Sequence, residues 1–148
     1  MTSSPSADSR PSPPKGCPPL LPVLATGLGL LLWGVTAARH SLLQSNAYDL
    51  GLFDQWAWLI SSGAEPISSM EQVHVLADHG AWMLYLAGGA YRILPSLQWL
   101  LASQALALSC TALPIFRLAE QAGLTRQRCW LLCGLWWLQP VVFNAALF

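Results

Sequence analysis

The sequence predicts an all-α, polytopic membrane protein, and three observations carry that prediction. Hydrophobic residues make up 54% of the chain and charged residues only 9%, where a soluble domain carries roughly 25% charged residues. Three windows of sustained apolarity, residues 20–38, 97–116 and 129–148, are each long enough to cross a bilayer as a helix. Between the first and second lies an acidic stretch from Tyr48 to Gly80 that holds five of the seven carboxylates, while no Lys or Arg occurs from His40 to Tyr91.

Residues 1–19 are rich in Ser and Pro, with Arg10 and Lys15 as their bases. Such a tract buries too little apolar surface to fold, so a disordered tail is expected. Residues 20–38 carry no charge and would extend roughly 28 Å as a helix. Lipid offers the backbone no water, so each span must be helical to satisfy its own hydrogen bonds. Thr36-Ala37-Ala38 would pass as a small-residue cleavage site, but the apolar core and the polar leader are both too long for an ordinary signal peptide. A retained anchor is the expectation.

Residues 39–96 form the loop between the first two spans, and two interfacial helices are expected in it, over about 49–61 and 79–94. In the first, Leu50, Phe53, Ala57 and Ile60 recur at helical spacing, Trp56 and Trp58 suit the headgroup level, and Ser61-Ser62-Gly63 ends the pattern. The second carries Trp82, Met83, Tyr85, Leu86 and Ala90. Residues 80–94 are too few to span, include Gly88-Gly89 and Arg92, and run into Pro95, so this segment should lie at the interface.

The second span, 97–116, leads to a loop at 117–128 holding three of the seven bases, Arg117, Arg126 and Arg128. By the positive-inside rule this loop and the amino-terminal tail are cytoplasmic, which puts the acidic loop outside. The third span, 129–148, contains Gln139-Pro140, where a kink is expected, and Asn144. Because nothing follows that span, a fragment or an amino-terminal module of a larger protein is the expectation.

The zero net charge argues against a nucleic-acid partner, for lack of a basic surface to neutralise phosphates. Three of the four cysteines lie in apolar windows, and their spacing matches neither a CxxC pair nor a zinc set. The chemistry should therefore sit in the acidic loop.

Asp49 and Asp54 are five residues apart, so on a helix they point about 140° from one another and cannot act as a same-face pair. Asp49 has two readings. It is the N-cap of a helix starting at Leu50, or it is a general base at the membrane surface. Glu71, His74 and Asp78 would share a helical face at i, i+3 and i+7, with His79 following, a donor set suited to a divalent cation. Arg39 and Arg92 bracket the loop and could meet a phosphate, for which a guanidinium is well shaped, or snorkel to the headgroups.

At Tyr48-Asp49-Leu50-Gly51-Leu52-Phe53-Asp54-Gln55 and the later His79, the chain resembles a family of bacterial polytopic membrane proteins with a domain of unknown function. The layout in turn resembles the amino-terminal part of the C-type (GT-C) membrane glycosyltransferases, in which the first exterior loop contains two juxtamembrane helices and an early acidic residue. The resemblance implies a sugar donor linked to polyprenyl phosphate. It implies Asp49 as base or orienter, Asp54 and His79 in support or holding a divalent metal with Asp78, and Arg39 or Arg92 on the donor phosphate. Residues 79–94 would be the second juxtamembrane segment. It also implies a multi-pass protein of the bacterial inner (plasma) membrane with a cytoplasmic amino terminus. Two departures stand out: Leu50 follows the acid where many relatives have a second acid, and the chain has fewer spans than they do. The rival expectation is a non-enzymatic assembly or transporter-associated membrane protein whose acidic loop is a docking face.

Overall fold

A computed structural model describes residues 16–45, 47–78 and 80–146. Residues 1–15 of the tail expected over 1–19, and His79, lie outside the described residues. The rest is helical, with no strand named among the described residues and a single isolated bridge between Ile67 and His74.

α1 (Leu20–Ser41) packs along α5 (Gln98–Cys110), and α6 (Ala112–Gln121) packs on α7 (Arg126–Trp137). Two helices, Leu20–Ser41 and Gln98–Gln121, are long and apolar enough to cross a membrane, and a third crossing forms if α7 and α8 (Pro140–Ala146) are one bent span. The second of these is interrupted at Thr111 for a local reason. Pro114 has no N–H to offer the carbonyl four residues earlier, so one bond of the helical ladder is missing there while Thr111 keeps helical backbone. Pro140 acts likewise between α7 and α8, which diverge by 49°. That is the kink expected at Gln139-Pro140.

α1 approaches α5 closely at Gly29. A Cβ there would lie 2.6 Å from Ser109 Oγ and 3.2 Å from Leu106 Cα, so only the absent side chain lets these backbones meet. Small residues commonly serve this purpose between membrane helices, where lipid leaves no hydrophobic drive for association. Near the other end of α1 the buried Thr36 hydroxyl lies 2.8 Å from the Leu32 carbonyl and 2.6 Å from that of Ala146, tying α8 to α1. Two indoles pin α7 to α5, with Trp136 donating to Leu108 O and Trp137 to Ser109 O, each at 2.9 Å. Outward-facing Val23, Leu24, Leu31 and Leu131 stay exposed, as they should on helices whose solvent is lipid.

The 39–96 region folds as its own layer against the end of this bundle. α2 (Ala47–Ser62) crosses α4 (Met83–Ile93), and a one-turn helix α3 (Val75–Asp78) lies beneath them. Leu52, Trp56, Val75 and Leu84 make the buried cluster that joins the three. At eleven residues α4 is about 16 Å long, far short of the hydrocarbon thickness. Its last turn ends because Leu94, preceding Pro95, is forced into extended backbone.

Candidate functional site

The site begins where α1 stops. Leu43 N donates to His40 O at 3.0 Å and Gln44 N to Arg39 O at 2.9 Å, the paired bonds of a Schellman turn. The residue in the left-handed position is Leu43, at φ 58°, where α2 uses Gly63 at φ 75° for the same turn. A β-carbon in that conformation costs roughly 1–2 kcal/mol. The turn sends the chain back on itself, which brings Ser45 Oγ to 3.0 Å from His40 Nδ1. Arg39 reinforces it, donating from Nη2 to Gln44 O at 3.1 Å.

α2 then supplies the acidic wall. Leu50, Gly51 and Asp54 share one face, and Asp54 is met from behind by α4: the Tyr91 hydroxyl donates to Asp54 Oδ1 at 2.5 Å. Gly88 makes that approach feasible, since a Cβ at this position would stand 2.8 Å from Ile60 Cβ and 3.3 Å from the Ala57 carbonyl. Tyr91 is 3% exposed. Burial, and after it the hydrogen bond and charge of Asp54, push its phenol far above the usual tyrosine range, so it remains a donor.

Between these walls is a cavity of about 350 Å³ lined by His40, Leu43, Ser45, Leu50, Gly51, Asp54 and Leu97. Its chemistry is a carboxylate, an imidazole and a hydroxyl set among leucines. A small polar head carried on an apolar chain fits such a lining.

The remaining expected site residues lie elsewhere. Asp49 is in the first turn of α2, which begins at Ala47, so it sits inside the helix and not at an N-cap before Leu50. There it still complements the helix dipole, and it is not among the residues lining the cavity. Arg92 donates from Nε to Ser61 O at 3.0 Å, holding the end of α4 against the end of α2. Asp78 closes α3.

The helical face expected for Glu71, His74 and Asp78 does not form. Residues 67 and 74 bridge, Gln72 takes φ 57°, and helix starts only at Val75. Glu71 instead accepts from the Tyr48 hydroxyl at 2.9 Å, which raises the Tyr48 pKa chiefly through that bond, and His74 Nδ1 accepts from Leu76 N at 3.2 Å. Among the described residues no group of three His, Cys, Asp or Glu is arranged to hold a metal ion.

Sequence reasoning passed over His40, Ser45, Gln55 and Tyr91. Gln55 proves to be the clamp of the loop: its Oε1 accepts from Ser68 Oγ at 2.9 Å and Ser69 N at 3.1 Å, and its Nε2 donates to Ser69 Oγ at 2.7 Å. The polar residues of the 48–55 motif thus hold down the loop and α4.

The family profile described as "Predicted membrane protein (DUF2079)" matches residues 39–148. No curated protein and no solved structure matches the chain. The chain belongs to that family of membrane proteins, and the match begins at the arginine that braces the turn beside the cavity.

Proposed function

We propose that this member of the DUF2079 family acts in glycosyl transfer, moving a sugar from a polyprenyl-phosphate donor to a hydroxyl acceptor at the cavity between α1, α2 and α5. The carrying observation is the cavity itself, where Asp54, fixed by Tyr91, faces an otherwise leucine-rich wall at the end of the spans. The layout of two short helices between the first spans supports the reading by its likeness to the GT-C enzymes.

In this reaction Asp54 takes the proton of the acceptor hydroxyl as its oxygen bonds to the anomeric carbon. The anomeric carbon–phosphate oxygen bond breaks, and its electron pair leaves with the polyprenyl phosphate. Tyr91 keeps the carboxylate aimed at the cavity, and the leucines exclude water that would otherwise hydrolyse the donor. The base is assigned to Asp54 over Asp49 because Asp54 lines the cavity, whereas Asp49 complements the α2 dipole. By the positive-inside rule the cavity faces the exterior of a bacterial inner membrane, with the 117–128 loop and the amino terminus cytoplasmic.

The test replaces Asp54 with Asn in the full-length gene product and follows sugar transfer from a polyprenyl-phosphate sugar. A loss of about 10²-fold or more is expected for a general base, and undiminished transfer would sink the assignment. A larger loss in Asp49→Asn than in Asp54→Asn would move the base to Asp49.

A second reading is favoured by one observation. Tyr48, Asp54 and Gln55 all make structural hydrogen bonds, as they would in a non-enzymatic assembly or transporter-associated protein. It predicts that Asp54→Asn impairs folding and that no lipid-linked sugar binds.

A further inference from the structure

We infer that His40 is the phosphate-recognising group of the cavity, presenting Nε2–H to a phosphate oxygen while Ser45 holds the ring from behind. The inference rests on the glycosyl-transfer reading and adds a residue to it.

The two arginines expected to meet phosphate line no part of the cavity, although the buried Arg39 Nε has no hydrogen-bond partner among the described residues. Arg39 braces the turn through Gln44 O, and Arg92 braces α2 through Ser61 O. Of the residues on the cavity wall, His40 alone offers a ring nitrogen as a donor. Its Nδ1 lies 3.0 Å from Ser45 Oγ, and no described residue hydrogen-bonds Nε2. If the serine hydroxyl donates to Nδ1, the ring is held in the tautomer with the proton on Nε2. That orienting role is the usual function of a partner on the second nitrogen.

The same lining carries Asp54. Both groups line the cavity, Asp54 held by Tyr91 and His40 beside Ser45. A monophosphate bound there would lie with its oxygens toward the imidazole, because the carboxylate repels them, and with its prenyl chain along Leu43, Leu50 and Leu97. The polarity of the two groups therefore sets which end of a donor each one meets. It also sets His40 beside the phosphate that departs, where its hydrogen bond strengthens as negative charge builds on the leaving oxygen.

The leucine turn bears on the same point. Without the bend at Leu43 the chain after His40 would run on, and Ser45 could not return to Nδ1. A strained residue is kept where the turn both orients the imidazole and supplies an apolar lip to the cavity.

The experiment measures binding of a polyprenyl monophosphate to the full-length protein in detergent, with the corresponding prenol and inorganic phosphate as separate arms. The wild type should bind the monophosphate at least tenfold more tightly than the prenol, and inorganic phosphate should compete. His40→Gln should lose most of that preference while still binding the prenol as the wild type does. An unchanged preference in a folded His40→Gln protein would overturn the role of His40 and leave the glycosyl-transfer reading standing. A wild type that does not distinguish monophosphate from prenol would overturn both. If His40→Gln does not fold, Ser45→Ala serves instead: it should weaken monophosphate binding several-fold, and unaltered binding overturns the inference.

Discussion

The Tyr91 hydroxyl of α4 donates to Asp54 Oδ1 of α2 at 2.5 Å, across 37 positions of sequence. This contact joins the two short helices and fixes the carboxylate that faces the cavity. A hydrogen bond to a charged group is worth roughly 1.5–3 kcal/mol, more than a neutral one.

Tyr91→Phe should therefore lower stability by about 1–3 kcal/mol, read as a drop in the unfolding midpoint in detergent at neutral pH. It should also change the alkaline behaviour. The folded-state pKa of Tyr91 lies above its ordinary value of 10.0, so the folded chain holds this proton at pH values where the unfolded chain has lost it. Stability from this group is complete below pH 10 and is lost as pH rises further. The variant should lack that part of the alkaline decline, and equal slopes for both proteins above pH 10 would refute the account.

Gly88→Ala should destabilise the α2–α4 crossing by roughly 1–3 kcal/mol, because the new methyl meets Ile60 and the Ala57 carbonyl. Ile60→Ala should restore part of the loss, since it removes the side chain that the methyl strikes. A double variant no more stable than Gly88→Ala would place the obstruction at the Ala57 backbone.

Gln55→Leu should free the 68–70 turn without unfolding the spans. The amide of Ser69 loses its acceptor, and the hydroxyl of Ser68, which is fully buried, loses the acceptor of its proton while still accepting from Met70 N. Hydrogen exchange should accelerate at residues 68–72 and stay unchanged in α5 and α6. Protection that persists in the turn would mean that the Gln55 bonds do not hold it.

Topology offers a check independent of chemistry. In a background with Cys17, Cys110, Cys129 and Cys133 replaced, an impermeant thiol probe should label a cysteine at Ser62 in intact cells. A cysteine at Gln121 should react only after permeabilisation. The reverse pattern would invert the orientation and place the cavity on the cytoplasmic side.

Much of the architecture was legible in the residues, for reasons that are local. A long uncharged window in lipid has no alternative to helix, so α1 and the Gln98–Gln121 span follow from composition and length. Pro140 removes a donor wherever it stands in a helix, so the bend after α7 follows as well. The metal-like spacing of Glu71, His74 and Asp78 misled for the opposite reason: it assumed a helix, and the Ile67–His74 bridge with a left-handed Gln72 took its place. The site was legible only in part. Asp54 was recognised as an acid that Asp49 could not pair with, but nothing nearby in sequence indicates which of the two meets a cavity.

By itself, then, the sequence determined the class of protein, the position of its apolar spans and the charge asymmetry that marks one loop for function, because these depend on burial and charge along a short window. Tertiary structure decided that Asp54 and His40 line one cavity, that Tyr91 and Gly88 bring α4 against α2, and that Arg39 and Arg92 each donate to a backbone carbonyl. Periodicity tells which residues share a face of one helix, whereas which face meets which depends on where the backbones can approach. In this chain a glycine settles it at the α1–α5 and α2–α4 crossings, and one strained leucine settles the turn at the end of the first span.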